Sequence, residues 1–206
     1  MLRKIQALVA DVEQPFDYGN VFTREVVRGV ERLRIALDDG HQGFIRTVAS
    51  RLTGPFQLLY VLHTSRTDAE LGRYESPELN AEAVHVFLDR FGGFLSEDGR
   101  HDLWVRSHGD DATIVWDRHN LIFAYGPLNV FESALLQREC GQARRRRFLI
   151  RTCITTTSNG TPKSAQYSKR WPGTSNRFAN RMCSLSRRRA SPATTIFDAM
   201  ARTMSG

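Results

Sequence analysis

The sequence predicts an α+β domain: a mostly antiparallel sheet of about four strands with helices packed on one face, followed by a disordered basic C-terminal tail. Three observations lead there. Four short apolar runs fall between turn signals, three of them in succession. Segments of helical spacing stand before, between and after those runs. The charge is also divided sharply along the chain. Fourteen of the 29 Lys and Arg residues, but of the 22 acids only Asp198, lie from Gly141 onward. The first 140 residues therefore carry about −6 and the remainder +13, so the overall +7 describes neither part.

Taken in order, Leu2, Ile5, Val9 and Val12 share a helical face, which predicts a short amphipathic helix over 2–13. Pro15 and Gly19 then mark a loop. Thr23 is read as the N-cap of a helix reaching Leu37, with Val26, Val30, Leu33 and Leu37 as its buried stripe. Phe44, Ile45, Val48 and Leu52 predict another helix over 42–52. The continuous apolar run Phe56–Leu62 reads as a central strand. The stretch 64–75 reads as loop, and Ser76-Pro77 or Asn80 starts a helix carrying Val84, Phe87, Leu88, Phe91 and Leu95, with Gly92-Gly93 expected to fray or kink it.

HDLWVRS, ATIVWD and LIFAY predict three strands, the last two joined by the hairpin loop Asp117–Asn120. Asn129 with Glu132 resembles a capping box opening a last helix through Phe131, Leu135 and Leu136. The expected order is α-α-β-α-β-β-β-α, with an N-terminal segment at 1–20, the domain at 21–140 and the tail at 141–206.

In the tail the periodicity stops. Between Arg151 and Gly206, Leu, Ile, Val and Phe make up five of 56 residues, and Ser and Thr seventeen, too few apolar groups for a packed core. Three readings stay open. Arg144, Arg145, Arg146, Arg147, Arg187, Arg188 and Arg189 could grip a nucleic-acid backbone or other polyanion, with Tyr167, Trp171 and Phe178 stacking on bases. The tail could equally be a solvated segment without a partner. Or it is translated out of its natural frame. Thr codons are ACN and Ile codons ATH, so a one-base shift across Ile150–Gly160 forces a continuation rich in His, Tyr, Asp and Trp, which would suit the acidic balance of the first part.

The three cysteines, Cys140, Cys153 and Cys183, form neither a disulfide framework nor a zinc pattern. The N-terminus lacks the form of a signal peptide, and no run reaches the length of a membrane span. The expectation is a soluble cytoplasmic protein.

Candidate chemistry lies in the first 119 residues, which hold all six histidines, none at a metal-ligand spacing. His63 ends the strand read as central, with Arg66 in the loop after it, and strand ends that feed loops often carry sites. Its bland alternative is a hydrogen bond to backbone. Asp102 could orient the imidazole of His101 as a general base, although adjacent strand residues face opposite ways. Asp117, Arg118, His119 and Asn120 gather a carboxylate, a guanidinium, an imidazole and an amide that could bind phosphate or carboxylate, and turn chemistry alone also accounts for them. Arg73 either presents a binding guanidinium or forms a helix-entry ion pair. The candidate binding residues are thus His63, Arg66, Arg73, Asp117, Arg118 and His119. No phosphate loop, nucleophile elbow or CxxC occurs.

GPFQLLYVLH, RYESPEL, FGGFLSEDGRHDLWV and VWDRHNLIFAYGPL together resemble a small bacterial domain family of unknown function, over about residues 54–136. The resemblance implies a folded domain and no particular activity. It also implies a His-rich continuation after the last helix, which this chain lacks; with it, His63 or His101 could join a metal site.

The functional expectation is a small binding or interaction protein without a catalytic motif. Its alternatives are a metal-binding or hydrolase-like protein whose His-rich segment is lost, and a nucleic-acid binder acting through the tail. The sequence singles out no cofactor.

Overall fold

A computed structural model describes residues 4–9, 12–15, 18–65, 70–142 and 154–155. The elements run β1 (Gln6–Val9), β2 (Val12–Pro15), β3 (Val21–Val27), β4 (Val30–Ala36), α1 (His41–Ala49), β5 (Phe56–Leu62), β6 (Gly72–Glu75), α2 (Ala81–Glu97), β7 (His101–Ser107), β8 (Ala112–Trp116), β9 (Leu121–Tyr125), α3 (Leu128–Leu136), β10 (Gly141–Gln142) and β11 (Ile154–Thr155). The protein is α+β, but its main sheet has eight strands rather than about four, in the order β10-β3-β4-β9-β8-β7-β5-β6. Neighbours pair antiparallel throughout, except the parallel β10–β3 pair. A second sheet joins β11, β1 and β2.

Two predicted helices are strands. Gln6–Val9 and Val12–Pro15 pair antiparallel as β1 and β2, with Val9 opposite Val12, instead of forming an amphipathic helix. The segment capped at Thr23 is the hairpin β3–β4, closed at Val27↔Val30 by Arg28 and Gly29. Both turn residues take positive φ, 54° and 81°, as a type I′ turn requires. The stripe Val26, Val30, Leu33, Leu37 misled because it skips the period-two set. Leu33, Ile35 and Leu37 are buried, whereas Val26 is exposed. Glu25 and Arg32 face each other across the hairpin and pair at 2.6 Å. Val21, Val26, Val27, Val30 and Ile35 are β-branched, a composition that suits a pleated surface.

The stretch read as loop contains β6, whose Tyr74 is buried beside Tyr60. That makes β5 the next-to-edge strand, not a central one. α2 starts where Asn80 caps it, the side chain accepting from the Ala83 N–H at 2.8 Å. It runs through Gly92-Gly93 without a break. Gly92 serves packing: a Cβ there would lie 3.1 Å from Gln42, so its absence lets α1 and α2 approach closely. α3 begins at Pro127 without a side-chain cap. Glu132 is no capping-box partner; it binds Arg24 of β3 at 3.0 Å.

One core cluster collects Phe44, Ile45 and Val48 of α1, Phe87, Leu88 and Phe91 of α2, and Phe131 and Leu135 of α3 against alternate strand residues. The latter include Leu58, Tyr60, Leu103, Val105, Ile114 and Trp116. The helix residues and one set of strand residues thus enclose the same interior. Among the described residues no helix is long and apolar enough to cross a membrane.

Candidate functional site

The antiparallel register brings the chemistry to one end of the sheet. β5 ends and β7 begins there, with Leu62 opposite His101 and Val61 opposite Asp102. β8 ends at Trp116 and β9 begins at Leu121, so the 117–120 loop sits at the same end. His101 and Asp102 point to opposite faces, as adjacent strand residues must. His101 turns inward and is fully buried. Asp102 therefore does not orient His101. Its Oδ2 pairs instead with Nε2 of His63 on the neighbouring strand, at 2.8 Å. Its Oδ1 accepts the backbone N–H of Arg118, also at 2.8 Å. One carboxylate thus ties the end of β5 to the β8–β9 loop.

The loop has its own order. Asp117 Oδ1 accepts the N–H groups of His119 and Leu121 at 2.9 and 2.8 Å, and its Oδ2 lies 3.1 Å from Nδ1 of His119. Asn120 takes the left-handed conformation, φ 59°. Its side-chain oxygen accepts from the Trp116 indole N–H at 2.9 Å. Tyr18 donates its hydroxyl to the His119 carbonyl at 3.1 Å. The turn chemistry legible in the sequence is present, and the same Asp117 also holds the His119 ring.

Four candidates thus meet here: His63, Asp117, Arg118 and His119. The side chains of His63 and His119 are 32% and 39% exposed, and Arg118 is exposed. Arg73 lies on β6 opposite Val61, which is itself opposite Asp102. That places it two strands from Asp102, roughly 10 Å away. Arg66 lies outside the described residues, as do Arg144, Arg145, Arg146, Arg147, Arg187, Arg188 and Arg189.

Beneath this surface is a buried polar layer that the sequence reading passed over. Lys4, 1% exposed, enters it from the N-terminal segment, its backbone N–H bound to the Ser96 carbonyl at 3.2 Å. Its ammonium lies 4.8 Å from the centroid of the Trp116 ring. His41 stacks on Trp116 at 5.1 Å and donates Nε2–H to the Asn120 carbonyl at 3.0 Å. His101 stacks on Phe94 at 5.2 Å. Arg100 pairs with Asp98 at the end of α2. Nothing around Lys4 in the sequence marks it, since its neighbours in space lie some 100 positions along the chain.

Electrostatics follow from burial. Desolvation lowers the Lys4 ammonium to about 8, against the attraction of Asp117, Asp102 and Asp98. Burial pushes His41 down to about 4 and His101 well below its usual value, so both are neutral at pH 7. For Asp102, burial raises the carboxyl, but the His63 hydrogen bond and charge, the Arg118 N–H and Lys4 outweigh it and hold it below its ordinary value. Burial and the Asp117 charge push the Tyr18 hydroxyl up.

The arrangement presents two carboxylate-backed imidazoles and a guanidinium to solvent. The imidazoles can accept or donate protons, and the guanidinium attracts anions. Among the described residues no cluster of three His, Cys, Asp or Glu groups is placed to hold a metal. An open depression of about 360 Å³ lies at the other end of β5, lined by Leu52, Pro55, Phe56, Glu78, Leu79 and Ala81, and includes none of the candidates. Comparison with protein-family models, curated proteins and solved structures finds no match.

Proposed function

We propose that this chain is a small, non-catalytic, cytoplasmic binding protein that recognises an anionic group, phosphate or carboxylate, through His63, Arg118 and His119. The observation that carries this reading is the double use of Asp102. It fixes the His63 ring and the Arg118 backbone at once, so two loops hold their cationic or protonatable side chains on one exposed surface. Such pre-organisation lowers the ordering cost of binding, and Arg118 adds the planar donor fork suited to oxyanions.

The test is an NMR titration of the full chain with inorganic phosphate and, separately, succinate. We expect saturable shifts centred on residues 117–120 and His63. Arg118→Ala should weaken binding roughly tenfold, about 1.4 kcal/mol. Shifts that never saturate, or an Arg118→Ala protein that binds equally well, would overturn the reading.

A second reading rests on the His63–Asp102 pair itself. A carboxylate-oriented imidazole is a general-base arrangement. Turnover in a screen of esters and phosphoesters, abolished by His63→Ala with the fold intact, would favour this enzyme over the binding protein.

A further inference from the structure

Lys4 is a buried ammonium whose surroundings among the described residues do not meet its hydrogen-bonding capacity. Its Nζ is fully buried and makes no hydrogen bond among the described residues. What it has is the face of Trp116 at 4.8 Å and the attraction of three carboxylates, Asp98, Asp102 and Asp117. A primary ammonium carries three N–H donors that need acceptors, and leaving them unmet when buried costs free energy. A quaternary ammonium has no N–H to satisfy. It is weakly hydrated, and an aromatic face with carboxylates nearby is its preferred surrounding.

The aromatic face is itself held in place. Trp116 is fixed by its hydrogen bond to Asn120 on its edge and by the parallel stack with His41, 4° between planes. The segment carrying Lys4 is held by the buried side chain of Ile5 and by one described backbone hydrogen bond to the domain, Lys4 N–H to the Ser96 carbonyl.

We propose that the space beneath the N-terminal segment is a binding site for a quaternary ammonium group, a trimethylammonium head, and that Lys4 occupies it as a displaceable plug. Withdrawal of Lys4 opens the Trp116 face and removes one positive charge from the neighbourhood of Asp98, Asp102 and Asp117, which keep their contacts with Arg100, His63 and His119. The site takes its ligand through charge and ring contact rather than through hydrogen bonds. It shares Asp102 and Asp117 with the surface of His63, Arg118 and His119, but it takes a ligand of the opposite charge, so the two are tested separately.

The experiment uses the full-length Lys4→Ala protein, titrated with tetramethylammonium chloride at constant ionic strength. The Trp116 indole N–H resonance is followed, assigned through Trp116→Phe. The neutral isostere tert-butanol and the primary cation n-butylammonium are titrated in parallel. We expect saturable tetramethylammonium binding, at least tenfold tighter than either control, and at least tenfold weaker in the wild-type protein, where Lys4 competes. Deletion of residues 1–5 vacates the pocket without a shortened side chain in it, and it serves if Lys4→Ala does not fold. Equal binding of tert-butanol, absence of saturation in the vacated protein, or wild-type affinity equal to that of the vacated protein would each overturn the proposal.

Discussion

Lys4 illustrates how one buried charge is weighed. In the folded chain its ammonium titrates near 8, against the ordinary 10.5. Between these values the unfolded chain binds more protons than the folded one, so stability rises with pH across that window. Below pH 8 both states are protonated and the full desolvation cost is present. Lys4→Met keeps the length and removes the charge. The variant should be more stable than wild type at pH 7, by up to on the order of 3 kcal/mol, with the advantage vanishing near pH 10.5. Denaturant melts at pH 7, 9 and 10.5 check this; a pH-independent difference would show that the charge is not what matters. His41 and His101 are neutral throughout this range, because burial holds both below their usual values.

At the level of elements, the helix starts separate two kinds of capping signal. Asn80 caps α2 through its side chain, whereas Asn129 lies inside α3, whose start at Pro127 has no side-chain cap. Asn80→Ala should therefore cost about 1 kcal/mol, whereas Asn129→Ala, at an exposed helical position, should cost nothing and gain up to a few tenths of a kcal/mol. Thermal melts of the two variants distinguish them, and equal losses would contradict the assignment. The hairpin β3–β4 shows why the same run of residues was read as a helix. Val26, Val30, Leu33 and Leu37 fit a helical stripe, and Arg28-Gly29 is a less familiar two-residue turn than Asn-Gly. The choice is made by Leu33 and Ile35, which pair with Ala124 and Ile122 of a strand some 90 positions on. A period read locally cannot register a partner that distant. By contrast α1 and α2 were legible, because Phe44, Ile45, Val48 and Val84, Phe87, Leu88, Phe91, Leu95 repeat over whole turns on one buried face.

Across the whole molecule, the core cluster stretches from Phe22 to Cys140, while all fourteen Lys and Arg residues of the second part lie beyond Gln142. A chain ending at Gln142 loses the two-residue β11 from the small sheet but no residue of the core cluster, so it should keep its melting temperature within a few degrees of the full chain. If residues 143–206 act as a nucleic-acid arm, the same truncation removes salt-dependent binding to a single-stranded oligonucleotide. Unchanged affinity after truncation would exclude that arm, and resequencing the gene across the codons for Glu139–Asn159 would test the frame directly.

By itself the sequence determined the α+β class, the strands β5, β7, β8 and β9, the helices α1, α2 and α3, the 117–120 turn and the change of character near residue 140, but it also offered two helices where β1 to β4 stand. These depend on contacts within a few residues, where apolar period, Gly, Pro and Asn act locally. It also pointed to His63 and, separately, to the cluster Asp117, Arg118 and His119, without joining the two. Only the tertiary structure decided that the sheet has eight strands, that Asp102 serves His63 rather than His101, and that Lys4 lies against Trp116. Each of those is a matter of register or long-range packing. Shifting β7 by one residue against β5 would put Asp102 on the other face, and no local pattern of residues 101–107 specifies which residue of β5 it meets.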